Sequence, residues 1–291
     1  MSRSSSSACR TRGAGLDRRR RRMLHALAAA PALGAIGRHS PAAAAPTPID
    51  VVEVARGLEH PWSLAFLPDG RMLVTERPGR LRIVMPDGRL SAPLPGVPRV
   101  QTGGQGGLLD VALGPGFARD RAVFVSFSEP GTGGARTAVA RAEFVDGAAP
   151  ALRDARVIFG QKDRTGGGNH FGSRLVFARD GTLFVTLGDR YSQRDRAQTL
   201  DNHYGKIVRI RADGSVPPDN PFVNRAGALP EIHSYGHRNV QGAALHPVTG
   251  QLWTHEHGPQ GGDEVNIERA GANYGWPVIT FGREYGSGDS I

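Results

Sequence analysis

An all-β fold of repeated antiparallel sheets, of the propeller type, is the class this sequence predicts, and three observations predict it. Glycine (40) and proline (21) are abundant among the 291 residues, while aromatic residues make up only 7%. That composition suits short strands joined by many tight turns. A strand–turn–strand unit recurs along the chain. No run with helical apolar spacing of useful length follows residue 50.

The unit first occurs at 63–75, Ser-Leu-Ala-Phe-Leu-Pro-Asp-Gly-Arg-Met-Leu-Val-Thr, then at 109–117 with 122–127, at 174–186 and at 242–254. With Ala65, Ala112, Val176 and Ala244 taken as equivalent, the units lie 47, 64 and 68 residues apart. A propeller blade usually repeats at about 40–50 residues, so longer spacings predict blades carrying long functional loops. Pro68-Asp69-Gly70, Pro86-Asp87-Gly88, Arg179-Asp180-Gly181 and Ala212-Asp213-Gly214 are predicted turns, with glycine supplying the positive φ. Leu81–Val84 and Lys206–Ile210 read as outer strands. Four blades fit residues 50–291. The run after Trp276, Pro-Val-Ile-Thr-Phe, reads as the start of a further strand. A propeller pairs its last blade with its first to remove open edges, so the domain reads as partial, truncated at its C-terminal end.

The formal charge of +9 sits mostly in one place. Nine of the 36 basic residues fall within residues 1–50, against Asp17 and Asp50, and the rest of the chain is nearly balanced. A balanced body offers no surface of the kind that dominates nucleic-acid affinity, so no nucleic-acid partner is expected. The basic stretch belongs to a leader over residues 1–45. Arg18 to Arg22 form a charged segment, Met23 to Ile36 an apolar one, and Ala42 to Ala45 offer small-residue cleavage sites. Arg-Arg-Arg-Met-Leu (20–24) resembles a twin-arginine signal. The other readings are a Sec signal, a start codon placed too far upstream, or a basic tail. Export to the periplasm or the exterior is the expectation. No later run reaches the roughly 18 apolar residues of a membrane span, so stable membrane insertion is not expected. Cys9, in the leader, is the only cysteine. Behind the leader there is no thiol for a disulfide, a metal site or a nucleophile, so redox chemistry would need a bound cofactor.

Three stretches carry chemistry. In Thr102-Gly-Gly-Gln105-Gly-Gly-Leu-Leu-Asp110, glycines flank an amide that can donate and accept, which suits close approach to a flat ligand. A flexible loop before a strand explains the same residues. In Gly166-Gly-Gly-Asn-His170-Phe-Gly-Ser-Arg174, followed by Leu187-Gly-Asp189, a histidine and an aspartate on adjoining strands can form a carboxylate–imidazole pair. Such a pair holds one ring tautomer and raises its basicity, as proton abstraction from a hydroxyl requires. A structural histidine bonded to a loop carbonyl is the alternative. In the third stretch Arg238 offers a fork for a carboxylate. The run 256–264, Glu-His-Gly-Pro-Gln-Gly-Gly-Asp-Glu, has the oxygen chemistry of a calcium site. His255 and His257 lack the spacing of a helical zinc pair.

Together these residues resemble the soluble quinoprotein glucose and sorbosone dehydrogenase family, which includes aldose sugar dehydrogenases. The resemblance spans roughly residues 50–285. It rests on Gly236-His-Arg-Asn-Val-Gln-Gly242 and Asn273-Tyr-Gly-Trp-Pro277, with the glycine-rich loop as softer support. It implies a six-bladed β-propeller, about four blades of it present here. The implied cofactors are pyrroloquinoline quinone and Ca2+. By the same resemblance His170 is the catalytic base and Asp189 its carboxylate partner, while Gln105, Arg238 and Asn239 contact the quinone. The carbonyls of Gly258 and Pro259 hold the calcium beneath it. Glu264 and the carbonyl of Tyr274 match a second, structural calcium site. The implied reaction oxidises an aldose sugar to a lactone, with hydride passing to the quinone and electrons to an external acceptor. Further cofactor-binding lysine and arginine residues of the family come from later blades. A calcium-dependent propeller lactonase and a non-catalytic binding propeller are the rival readings.

Overall fold

Successive side chains of a strand point to opposite faces, and here the central strands carry apolar residues on both, which forces sheet to stack on sheet. The computed structural model describes residues 49–291. The leader expected over residues 1–45, with Cys9, lies outside the described residues. Sheet 1 contains β1 (Pro61–Phe66), β2 (Met72–Glu76) and β3 (Arg80–Val84). Sheet 2 contains β4 (Leu108–Leu113), β5 (Ala122–Gly131), β6 (Gly134–Val145) and β7 (Ala151–Gly160). Sheet 3 contains β8 (Leu175–Phe177), β9 (Leu183–Thr186), β10 (Lys206–Ile210) and β11 (Ile232–Tyr235), and sheet 4 contains β12 (Val240–Leu245), β13 (Leu252–Glu256) and β14 (Glu264–Ile267). All four sheets are antiparallel meanders in chain order. The four expected strand–turn–strand units are the first two strands of each sheet, and the expected outer strands are β3 and β10.

Turn chemistry produces the reversals. Gly70, Gly88, Gly181 and Gly214 all have positive φ, between 81° and 92°. The aspartate before each glycine accepts the backbone N–H two residues onward, at 2.9–3.1 Å. This Asx arrangement closes the turn without help from the rest of the fold.

Burial joins consecutive sheets. Along β5, Val123, Val125 and Phe127 pack against Leu73, Leu81 and Ile83 of sheet 1. Ala122 and Phe124, on the other face of the same strand, pack against Leu175, Leu183 and Val185 of sheet 3. Phe184 and Ile207 then meet Leu252 of sheet 4. Each fully buried Val, Leu or Phe side chain contributes about 1.5–3 kcal/mol. Among the described residues no helix is long and apolar enough to cross a membrane.

A second device repeats at the sheet junctions. The hydroxyl of Thr75 on β2 accepts the Ser63 N–H and donates to the Leu109 carbonyl at the start of β4 (3.1 and 2.5 Å). Ser126 on β5 accepts from Asp110 N and donates to the Ser173 carbonyl (2.9 and 2.6 Å). Thr186 on β9 accepts from Arg174 N and donates to the Val240 carbonyl (2.9 and 2.8 Å). Each buried hydroxyl therefore pins the first strand of its own sheet to the first strand of the next. Asp110 strengthens the centre, accepting hydrogen bonds from the Ser63 hydroxyl, Arg174 Nη1 and Leu175 N.

Two features depart from expectation. One helical turn, α1 (Phe117–Asp120), interrupts the β4–β5 connection. Phe117 anchors it by stacking on Phe144 with centroids 6.3 Å apart. The run after Trp276 is not a strand. Val278 N and Ile279 N both turn back to the Gly275 carbonyl, and Arg283 bridges to Gln260 and to Ser290. Val278 and Ile279 stand exposed, because no sheet edge among the described residues takes them up.

Replacing Thr186 with valine keeps shape and removes the latch. The Arg174 N–H is then left without its acceptor and the Val240 carbonyl loses the Thr186 donor, a loss of about 1–3 kcal/mol. Urea unfolding of Thr186→Val against the unchanged chain measures it. An unchanged midpoint would show that the latch contributes nothing.

Candidate active site

The first strands of the sheets lie side by side: β1 against β4, β4 against β8, β8 against β12. In an antiparallel pair the start of one strand and the end of its partner share an edge. Gln105 lies just before β4, His170 before β8, and Arg238 and Asn239 immediately before β12. Asp189 follows β9, while Gly258 and Pro259 follow β13. Topology alone thus brings seven residues from five separate stretches of the chain to one end of the molecule.

His170 and Asp189 form the expected pair. Nδ1 of His170 lies 2.6 Å from Asp189 Oδ1, and both side chains are buried. The same oxygen accepts Tyr191 N at 2.7 Å, and Oδ2 accepts Trp276 Nε1 at 2.8 Å. A carboxylate with its lone pairs so occupied acts as an acceptor at Nδ1, which places the ring proton there and leaves Nε2 with a free lone pair. His170 itself has φ of 52°, and Arg190 and Tyr191 have φ of 55° and 65°. Left-handed backbone at three non-glycine positions costs about 1–3 kcal/mol each, and neighbours must hold it. Gln105 Oε1 accepts the His170 N–H at 2.8 Å. The buried Arg190 guanidinium donates to the carbonyls of Asn169, Ala135 and Gly167, each at 2.9 Å, and lies 3.6 Å from the centre of the Phe171 ring. Desolvation lowers the Arg190 pKa to about 10, which leaves it charged at neutral pH.

A cavity of about 190 Å³ opens in front of this pair, lined by His170, Asp189, Tyr191, Arg238, Pro259 and Trp276 among others. Arg238 Nη1 donates to the His257 carbonyl at 3.0 Å, and its guanidinium carbon sits 5.4 Å from the Trp276 ring centre. The Asn239 amide accepts Gly172 N through Oδ1 (3.1 Å), while its buried Nδ2 has no hydrogen-bond partner among the described residues. A buried donor without a partner is the mark of a site built for an acceptor. Arg194 and Glu284 pair at the cavity rim, and Tyr285 lies beside Arg238. The sequence reading gave no role to Tyr191, Arg194, Trp276, Glu284 or Tyr285. Trp276 alone had a visible signal, lying in the quoted Asn-Tyr-Gly-Trp motif.

Gly258 and Pro259 form a compact turn. A Cβ on Gly258 would come within 2.2 Å of the Gly261 carbonyl oxygen, so only glycine fits. Asp263 Oδ1 accepts Gly258 N at 2.9 Å. Among the described residues no donor is bonded to the carbonyl oxygens of Gly258 or Pro259. Unbonded main-chain oxygens are hard donors of the kind calcium takes. Glu264 and Tyr274 lie apart from the cavity. The Glu264 carboxylate meets Asn266 Nδ2 at 3.1 Å at the start of β14, and burial raises its pKa. The Tyr274 hydroxyl donates to the Ile267 carbonyl at the strand's far end, at 2.7 Å.

Behind Arg238, His237 is wholly buried. Its Nδ1 lies 2.8 Å from Glu256 Oε1, and its Nε2 3.6 Å from Glu268 Oε2. Burial disfavours the imidazolium, but the Glu268 and Glu256 charges outweigh it and raise the pKa to about 10. A raised folded-state value stabilises the fold fully below about pH 6.5, and that contribution is lost as pH climbs toward 10. Lys206 runs the other way. Desolvation lowers it to about 7, although its Nζ donates to three carbonyls. Its burden on stability is greatest below about pH 7 and fades toward 10.5. The two slopes oppose each other between about pH 7 and 10. Lys206→Met removes one, so its unfolding free energy should fall across that window while the unchanged chain stays nearly flat. Parallel curves in denaturant titrations at several pH values would contradict this assignment.

A model of the glucose/sorbosone dehydrogenase family matches residues 58–291. The chain is similar to aldose sugar dehydrogenase YliI of Escherichia coli, 50% identical over 244 residues that make up 83% of this chain. It spans 65% of that protein's length. Among solved structures it resembles a crystal structure of glucose dehydrogenase at 53% identity and a TM-score of 0.79, covering 82% of this chain and 69% of that one. It also resembles the PQQ-bound form of aldose sugar dehydrogenase from Streptomyces coelicolor, at 34% identity and a TM-score of 0.68, over 81% of this chain and 68% of that one. An all-β chain of stacked antiparallel sheets, with the His170–Asp189 pair facing a cavity beside Arg238, therefore belongs to the glucose/sorbosone dehydrogenase family.

Proposed function

We propose that this chain oxidises aldose sugars to lactones with pyrroloquinoline quinone and calcium, its four sheets being blades of a propeller. The observation that carries the reading is the buried His170–Asp189 pair facing a cavity that Arg238 also lines, with the buried, unpartnered Asn239 amide next to Arg238 in the chain. Similarity to a PQQ-bound sugar dehydrogenase supports the choice of cofactor. Arg238 would meet an acidic group of the quinone, Asn239 Nδ2 a carbonyl or carboxylate oxygen, and the carbonyls of Gly258 and Pro259 the calcium. When bound, that group supplies a two-electron acceptor for hydride leaving the anomeric carbon, with calcium polarising a quinone carbonyl.

The protein's own part is proton removal. His170 Nε2 takes the proton of the anomeric hydroxyl while the carbon–hydrogen bond breaks, and the oxygen's electrons form the lactone carbonyl. Asp189, held by Tyr191 N and Trp276 Nε1, stabilises the imidazolium without moving. Gln105 and Arg190 keep the histidine in its strained backbone, so the base is aimed before the sugar arrives. Glu264 and Tyr274 are proposed to serve a second, structural calcium site. Export by the leader 1–45, and delivery of electrons to an external acceptor, belong to the same proposal.

Adding pyrroloquinoline quinone and calcium to the purified chain should produce glucose-dependent reduction of a dye, and lactonase assays should stay at background. His170→Ala should lower turnover by about 10²–10⁴-fold with quinone affinity nearly unchanged. Asp189→Asn should lower it by a similar factor, because an amide no longer dictates the tautomer. Undiminished turnover in His170→Ala would end the assignment of the base, and hydrolysis of lactones without quinone would favour the rival enzyme.

A further inference from the structure

Glu256 lies at the last inward position of β13 and is buried. A carboxylate there is unfavourable unless its oxygens are satisfied. Four donors satisfy it. Oε2 accepts Arg238 N at 2.6 Å and Asn239 N at 3.2 Å, while Oε1 takes His237 Nδ1 at 2.8 Å and Asn266 Nδ2 at 3.3 Å. Two of these donors are the backbone amides of Arg238, whose side chain lines the cavity, and of Asn239, whose buried Nδ2 has no partner among the described residues. The same residue continues directly into His257, whose carbonyl holds the Arg238 guanidinium, and then into the Gly258-Pro259 turn.

The internal repeat gives this contact a meaning. In sheet 2, Ser128 stands two residues beyond the latch hydroxyl of Ser126, and its Oγ accepts Gly107 N, tying down the loop that leads into β4. Glu256 stands two residues beyond Thr254 and ties down the loop that leads into β12. A neutral hydroxyl at this position grips one amide, whereas the carboxylate grips two and answers the charge of His237. Thr254 departs from the repeat in step. Its hydroxyl donates to Glu268 Oε1 at 2.6 Å, and that carboxylate faces His237 from the other side.

We propose that Glu256 is a positioning residue for the cofactor site. Its carboxylate sets Arg238 and Asn239 on one side and, through its own strand, the Gly258-Pro259 carbonyls on the other. Glu268 balances the His237 charge but bonds to neither Arg238 nor Asn239, so it is the matched structural control. The inference rests on the quinone reading above, and its test separates the two.

Glu256→Gln, Glu256→Asp and Glu268→Gln would each be prepared in the full chain. Apparent affinity for pyrroloquinoline quinone in the presence of calcium is read from quenching of tryptophan fluorescence. Hydrogen exchange at the peptide spanning 236–242 is read by mass spectrometry. Glu256→Gln should weaken quinone binding by about tenfold or more, the usual effect of removing a ligand's supporting partner, and should speed exchange at Arg238 and Asn239. Glu268→Gln should lower the melting midpoint comparably, yet leave the exchange and the quinone affinity within about twofold. If Glu256→Gln does not fold, the shorter Glu256→Asp carries the same two readings. Equal losses of affinity in the Glu256 and Glu268 variants, or unchanged exchange at residues 238 and 239, would overturn the proposal. Absence of any quinone uptake by the unaltered chain would instead overturn the functional reading, and the exchange data would still decide the positioning role.

Discussion

The hydroxyl that joins each sheet to the next is the contact on which the remaining geometry depends. Thr75, Ser126 and Thr186 each take an amide proton from their own sheet's first strand and give their own to a carbonyl at the start of the next. Apolar packing between sheets is strong but non-directional, and a sheet could slide on its neighbour at little loss of buried area. A hydrogen bond between buried groups cannot slide. One position per junction therefore sets the register in which the first strands run beside each other. The loops ahead of those strands carry Gln105, His170, Arg238 and Asn239, so that register also sets the spacing of the site.

Charge is buried in this region on a scale that needs explaining. Arg190, His237, Asp189, Glu256 and Glu268 are all nearly inaccessible. None is left without a partner of opposite charge or a set of backbone groups. Arg190 is satisfied by three carbonyls, Asp189 by an imidazole, an indole and an amide, and Glu256 by an imidazolium and two amides. Such groups add little net stability over an apolar core. What they supply is direction. Each aims one backbone segment next to the cavity, and the strained φ values at His170, Arg190 and Tyr191 are tolerable because those segments are held from several sides.

Much of the fold was legible because it is written in local patterns. Alternating apolar residues and tight turns, Asp-Gly in β1–β2 and β8–β9 and Thr-Gly in β12–β13, give these hairpins with nearly their observed ends. β6 and β7 were not anticipated, since Arg136, Arg141, Glu143, Arg153 and Arg156 break their apolar pattern. Pairing decides that they are strands: β6 pairs with the buried β5, and β7 then pairs with β6. The run after Trp276 fails in the opposite sense. Its residues favour a strand, but a strand needs an edge to pair with, and Gly275 captures its amides instead.

The sequence by itself determined that this is an all-β chain of repeated sheets, and it marked His170, Asp189, Arg238, Asn239 and Gly258-Pro259 as chemically loaded. These conclusions follow from turn residues, side-chain period and motif, all of which act within a few positions of the chain. Only the tertiary structure decided that Nδ1 of His170 faces Asp189 at 2.6 Å, that Trp276 caps that carboxylate, and that Gln105 holds the histidine backbone. Those partners lie 19 to 87 residues apart in the chain. No local rule connects residues at such separations. The stacking of sheets, set in register by buried hydroxyls, is what brings them together.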